Sequence, residues 1–249
     1  MIGDGATDWT ETEGEVPAEP VVNPRAIMDW PRFVTAWAAA NDGFDLRHAG
    51  PGQRWWARLA YRCGIALTRI GGTAAMTTAG AVLAALFVPL IAAGGGRWPL
   101  LAVVLMGIGL LAEAASRAVS VLLGGPMRRE AFYRSLAERA AELCWLWAAA
   151  ALGAATLLIL ICGVLMAAHE YVRARAMAGG MRPAGTSTVG DRPLRIACTF
   201  ALLIIAAVVY PLAEDLPAGT STLVLALWAL LGLFGFVQLL AAARKGLRF

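Results

Sequence analysis

The sequence predicts an all-α integral membrane protein, with six transmembrane helices preceded by a juxtamembrane amphipathic helix. Three observations carry that prediction. The 249-residue chain is 59% hydrophobic and only 15% charged, far from the balance of a soluble domain. Long apolar runs recur at 73–93, 98–112, 143–168, 196–213 and 222–243, and a bilayer core asks for about 20 apolar residues per helix. The basic residues fall in clusters between those runs, as they do in polytopic membrane proteins.

Residues 1–24 hold six acids and no base, are rich in Gly, Thr, Glu and Pro, and have almost nothing to bury. They are expected to be disordered, and they lack the basic start and short apolar core of a signal peptide. With 25–50 they make a first segment, in which Trp30, Phe33 and Trp37 predict a short helix resting at the membrane interface. Residues 51–72 form the amphipathic helix. Arg54, Arg58 and Arg62 recur every four residues, with Trp55, Leu59 and Cys63 on an adjacent face. That pattern suits a helix lying on the membrane with its arginines toward anionic headgroups. Docking on a partner is the other reading. Residues 73–249 form the transmembrane domain, with helices at 73–93, 98–122, 130–152, 154–176, 194–213 and 218–243. The 143–168 run is too long for one span, and Gly153 offers the turn.

With six spans, nineteen of the twenty-one basic residues fall on one side. The other side holds Arg97 with Glu214 and Asp215, and Arg117 lies inside a helix. The bias toward cytoplasmic Arg and Lys then places both termini in the cytoplasm of a plasma-membrane protein. The net charge of +4 reflects this topology, and no nucleic-acid partner is expected. Cys63, Cys144, Cys162 and Cys198 show no paired spacing and read as small core residues. The small residues Gly80 and Ala84, Ala148 to Ala151, and Gly232 and Gly235 permit close helix packing and dimerisation, although alanine is simply common in this chain.

The central stretch, 100–146, is different. Its first helix acquires Glu113 and Arg117 near its far end. After Gly124-Gly125-Pro126 and Arg128-Arg129, the next helix carries Arg134, Glu138, Arg139 and Glu142 before turning apolar. Ionisable groups in such spans are costly and are usually kept for a pocket or a pairing. Further on, His169-Glu170-Tyr171-Val172-Arg173-Ala174-Arg175 is followed by Val189-Gly190-Asp191-Arg192-Pro193-Leu194-Arg195.

These segments resemble the actinobacterial, phosphatidylinositol-phosphate-synthase-like branch of the CDP-alcohol phosphatidyltransferases. The family's equivalent reads Ser-Tyr-x-(Arg/Lys)-Ala-Arg-Ala-Glu, then Gly-x-x-(Glu/Asp)-Arg-x-x-Arg. Thr78-x-Gly80 and Gly94-Gly95-Gly96-Arg97-Trp98 are also similar to that family, and the likeness extends over about residues 54–245. It implies a phospholipid-biosynthetic phosphotransferase fold and, by analogy, a dimer.

The family is known by Asp-x-x-Asp-Gly-x-x-Ala-Arg, eight or nine residues, then Gly-x-x-x-Asp-x-x-x-Asp. Its aspartates hold divalent metals that bridge the pyrophosphate of a CDP-lipid, and its last aspartate is thought to be the base. Here the resemblance places Arg134 at the third aspartate and Glu138 at the fourth, with Glu130 at the glycine. A nine-residue gap puts Ser120 at the arginine, Ser116 at the glycine, and Ala112 and Ala115 at the first two aspartates. Matching Arg117 to the arginine leaves Gly109 and Ala112 there. Only Glu138 keeps a carboxylate, so it is the one candidate catalytic residue.

One glutamate cannot hold two metals, and Arg134 brings a fixed positive charge, so no metal or other cofactor is expected. Glu113 and Arg117, Arg134 and Glu138, and Glu138 and Glu142 each lie four apart on one helix face. If those faces meet as in the family, three acids and two arginines share the former metal cavity, alongside Ala112, Ala115, Ser116 and Ser120. That group reads as a structural ion network, as charges snorkelling to water, or as a repurposed site. Arg117 lies roughly 9 Å of helix from the cytoplasmic end, within snorkelling reach. Arg173, Arg175, Arg192 and Arg195 are candidates for binding an anion or lipid headgroup. His169 reads as an interfacial polar residue.

Two functions follow. The first is an inactive family member that binds membrane lipids or a partner, as a homodimer or with an active paralogue. The second is a divergent transferase moving a phosphatidyl group from a CDP-lipid to an alcohol, using Glu113, Glu138, Glu142 and His169 with Mg²⁺ or Mn²⁺. A transporter is a distant third reading.

Overall fold

The computed structural model describes residues 28–41, 44–125, 128–181 and 187–247, with only the backbone of Arg128. The acidic tail, Pro126, Arg182 and Arg248 lie outside the described residues. Among those described, all regular structure is helical. In chain order it is α1 (Trp30–Ala40), α2 (Pro51–Arg69), α3 (Ala74–Ala92), α4 (Trp98–Leu122), α5 (Arg128–Ala151), α6 (Thr156–Ala178), α7 (Arg192–Val209) and α8 (Leu216–Gly246). Five of these, α3, α4, α6, α7 and α8, are long and apolar enough to cross a membrane. The protein is therefore a helical membrane protein. α5 is long enough but carries Arg129, Glu130, Arg134, Glu138, Arg139 and Glu142 in its first two-thirds, which lowers its hydropathy.

The helices fall close to the apolar runs, and the ends have local causes. α7 stops at Val209, four residues short of the expected 213: Tyr210 still bonds the Ala206 carbonyl as its cap, but Pro211 has no amide hydrogen to continue the ladder. Between α5 and α6, Gly153 takes φ +82°, a left-handed turn that a glycine adopts without strain.

α3 packs along α4 and α5, α8 along α6 and α7, and α4 touches α7. Val88, Met106, Trp145, Leu203, Leu225 and Trp228 form the centre of the bundle. A second, smaller core lies outside it. There Phe33 and Val34 of α1, with Leu46, pack against Ala57 and Ala60 of α2 and Ala118 and Val121 of α4.

This second core buries Phe33, which is 0% exposed and is ringed by Trp30, Trp37 and Tyr61. Burying it contributes about 1.5–3 kcal/mol. α2 meets the rest of the protein through Ala57, Ala60 and Gly64. A Cβ on Gly64 would stand 3.1 Å from Ala118 Cβ, so the small residues let α2 lie close on α4. Trp55 is left exposed beside Arg54, Arg58 and Arg62.

Candidate functional site

Four helices bring five acids and five arginines to one place. α4 supplies Glu113 and Arg117, one turn apart. α5 supplies Glu138, Arg139 and Glu142, and α6 supplies Glu170 and Arg173. α7 supplies Arg192 and Arg195, with Asp191 just before its first turn.

Glu142 is the hub. Fully buried, it meets Arg195 at 2.9 Å, Arg139 at 3.1 Å and Arg192 at 3.2 Å. Arg192 also reaches Glu113 at 2.6 Å and Glu138 at 3.7 Å, and its guanidinium carbon lies 5.5 Å from the centre of the Trp145 ring. Glu138 bonds Arg117. Glu170 meets Arg139 and Arg195 at 2.7 Å each and Arg173 at 3.4 Å, and Arg173 bonds Asp191. The ten groups form one connected network in which each charge faces an opposite one. In a poorly solvated interior that matching is what makes them tolerable.

Asp191 lies at the network's edge, ahead of α7. Burial pushes its carboxyl upward, but the Thr188 amide at 2.9 Å and hydroxyl at 2.8 Å, with Arg173, outweigh burial and hold it below the ordinary value. Thr188 also approaches His169 Nε2 at 3.5 Å. His169 is 2% exposed and packs edge-on against Phe236. It fits only because Gly190 and Gly235 carry no side chains there. A Cβ on Gly190 would come within 2.5 Å of the imidazole. Its contacts are with Thr188, Phe236, Gly190 and Gly235.

The residues expected in one cavity divide three ways. Glu113, Arg117, Glu138 and Glu142 join the network. Ala112 and Ala115 face the other side of α4, lining an apolar cavity of about 580 Å³ with Cys63, Met76 and Gly80. Ser116 bonds Thr78 at 2.8 Å and the Ala74 carbonyl at 3.0 Å, while Ser120 donates to Glu130 at 3.0 Å. Arg134 is not part of the ion network. It lines a separate cavity between α3, α4 and α5. Of the arginines named as candidates for binding an anion or lipid headgroup, Arg173, Arg192 and Arg195 are ion-paired with carboxylates, and Arg195 is 1% exposed. Their carboxylate partners lie as far as 79 residues away in sequence, which local spacing cannot reveal. Arg175 stays exposed.

Arg139, Glu170 and Asp191 were missed as network members. The only local signal was the three-residue spacing of Arg139 with Glu142 and of Glu170 with Arg173.

Beside the network runs an apolar groove of about 650 Å³. Val104, Gly107 and Ile108 of α4 and Ile196 and Phe200 of α7 line it, with Arg117 and Arg192 at its polar end and Trp37 and Trp56 over it.

Among the described residues, no group of three or more His, Cys, Asp or Glu is placed to hold a metal ion. The carboxylates that converge each face a guanidinium, whose permanent charge opposes a cation. The donor set does not fit a divalent metal.

The chain is similar in structure to Mycobacterium tuberculosis phosphatidylinositol phosphate synthase (PgsA1), a CDP-alcohol phosphatidyltransferase. The structure of that enzyme with CDP-DAG bound matches with a TM-score of 0.56 and 20% identity, covering 75% of this chain and 94% of that one. Its complex with manganese and citrate matches with a TM-score of 0.57 and 22% identity, covering 75% and 89%. At this identity the likeness defines the fold. No protein-family model matches the sequence, and no curated protein matches it.

Proposed function

We propose that this chain is a member of the CDP-alcohol phosphatidyltransferase family that has lost the transfer reaction and acts as a lipid- or partner-binding subunit. The observation that carries the reading is the position of Arg192, in contact with Glu113, Glu138 and Glu142 at once. The fold is shared with an enzyme solved with manganese and with CDP-DAG. In this chain, guanidinium occupies the space between the carboxylates. Ser116, which the resemblance sets at a motif glycine, is turned to Thr78 and the Ala74 carbonyl.

In this reading α5 is the sixth span, its charges neutralised by arginines from α4 and α7. Both termini lie in the cytoplasm, and α2 lies on the inner face of the plasma membrane with Arg54, Arg58 and Arg62 toward anionic lipid. The groove between α4 and α7 suits a lipid, its acyl chains along Ile108 and Phe200 and its phosphate toward Arg117. A second copy, or an active paralogue, is the natural protein partner.

The test is a direct assay of purified protein with CDP-diacylglycerol, a panel of polyol acceptors, and Mg²⁺ or Mn²⁺. No turnover above the protein-free control is expected. Metal-dependent release of CMP would overturn the reading.

A further inference from the structure

Six described arginines are buried or half-buried: Arg117, Arg134, Arg139, Arg173, Arg192 and Arg195. All but Arg134 contact a carboxylate. Its helical neighbours Glu130 and Glu138 act on it only beyond ion-pair distance. Glu138 is held by Arg117, and Glu130 accepts a hydrogen bond from Ser120. A half-buried guanidinium with no close ion pair is costly in a membrane protein.

Arg134 lines a cavity of about 410 Å³. Ala74, Ala75 and Thr78 of α3 form one wall and Ser116 of α4 another. Arg129, Glu130 and Tyr133 of α5 complete it. Arg129 stacks over the Tyr133 ring, 5.6 Å from its centre, and has no ion-pair partner among the described residues. With two arginines against one glutamate, the lining is positive. The Thr78–Ser116 hydrogen bond ties the opposite wall together.

We infer that this cavity binds a phosphate group without a metal, with Arg134 as the principal donor and Arg129 closing over it. The planar fork of a guanidinium matches two phosphate oxygens at once, and partial burial strengthens the contact. The ligand is a phosphate ester, carried either by a lipid headgroup or by a soluble ion. The inference rests on the metal-free reading above and assigns that protein a ligand class.

The experiment uses the full chain in phosphatidylcholine nanodiscs, with EDTA present throughout. Phosphatidic acid is titrated in one arm and inorganic phosphate in the other. Wild type is expected to bind at least one probe. Binding of phosphatidic acid alone identifies a lipid headgroup, whereas equal binding of inorganic phosphate identifies a soluble ion. Arg134→Gln is expected to weaken binding about tenfold or more and to leave the unfolding temperature close to the wild-type value, since the side chain makes no close ion pair or hydrogen bond among the described residues. Arg97→Gln, exposed just before α4 and at the end of that helix away from the cavity, is the control. The inference is overturned if neither probe binds wild type, if Arg134→Gln binds as wild type does, or if that variant fails to fold. No CDP-lipid or divalent ion is present, so failure here leaves the inactive-transferase reading standing. Turnover in the earlier assay would overturn that reading alone.

Discussion

Replacing Glu142 with alanine is expected to destabilise the protein by about 3–5 kcal/mol, seen as a large drop in unfolding temperature in detergent or nanodiscs. The side chain is fully buried and faces Arg139, Arg192 and Arg195. Its removal leaves five guanidiniums against four carboxylates, in a place where water cannot make up the difference. Deleting a base as well restores the balance. The double variant Glu142→Gln with Arg195→Gln should therefore lose clearly less than the two single losses summed, because each single change strands a charge that the other removes. Additive losses would mean the charges are well solvated and act independently.

The second large effect is steric. Gly235→Ala is expected to destabilise by about 1–3 kcal/mol or more, because the new methyl has nowhere to go. It would stand 2.3 Å from the Gly190 nitrogen and 2.7 Å from its Cα, and these are backbone atoms. Accommodating it must push Gly190 off α8. That breaks the bond from the Val189 amide to Gln238 and shifts Asp191, the network's outermost acid. The contrast is Gly80→Ala on α3, where a Cβ meets nothing within 4 Å. There the better helix propensity of alanine should leave stability unchanged or raise it by up to about 1 kcal/mol. Equal behaviour of the two variants in thermal unfolding would contradict the close packing of Gly190 on α8.

The sequence made the helices legible because burial in a membrane writes itself as length. Apolar runs of the right span located α3, α4, α6, α7 and α8, and Gly153 marked the α5–α6 turn. The charged centre was partly legible for the same reason. Glu113, Arg117, Glu138 and Glu142 stand out against apolar neighbours, and their four-residue spacing puts them on shared faces. The pairing itself was not legible. Arg134 and Glu138 are spaced as partners on one helix, yet Glu138 is held by Arg117 from across the bundle and Arg134 turns to another cavity. Arg192 and Arg195 look like ordinary cytoplasmic bases in sequence. Their role comes from acids on α4, α5 and α6. His169 shows the same limit. Nothing beside it in sequence predicts burial, which depends on Gly190 and Gly235 approaching from α8 and the segment before α7.

The account turns on the Arg192 guanidinium filling the space between Glu113, Glu138 and Glu142. Titrating Mn²⁺ into the purified protein and following the free ion by electron paramagnetic resonance tests this without any assumption about substrate. The free-manganese signal should match that of buffer alone throughout the titration. Stoichiometric loss of signal in wild type, restored by Glu138→Gln, would contradict it.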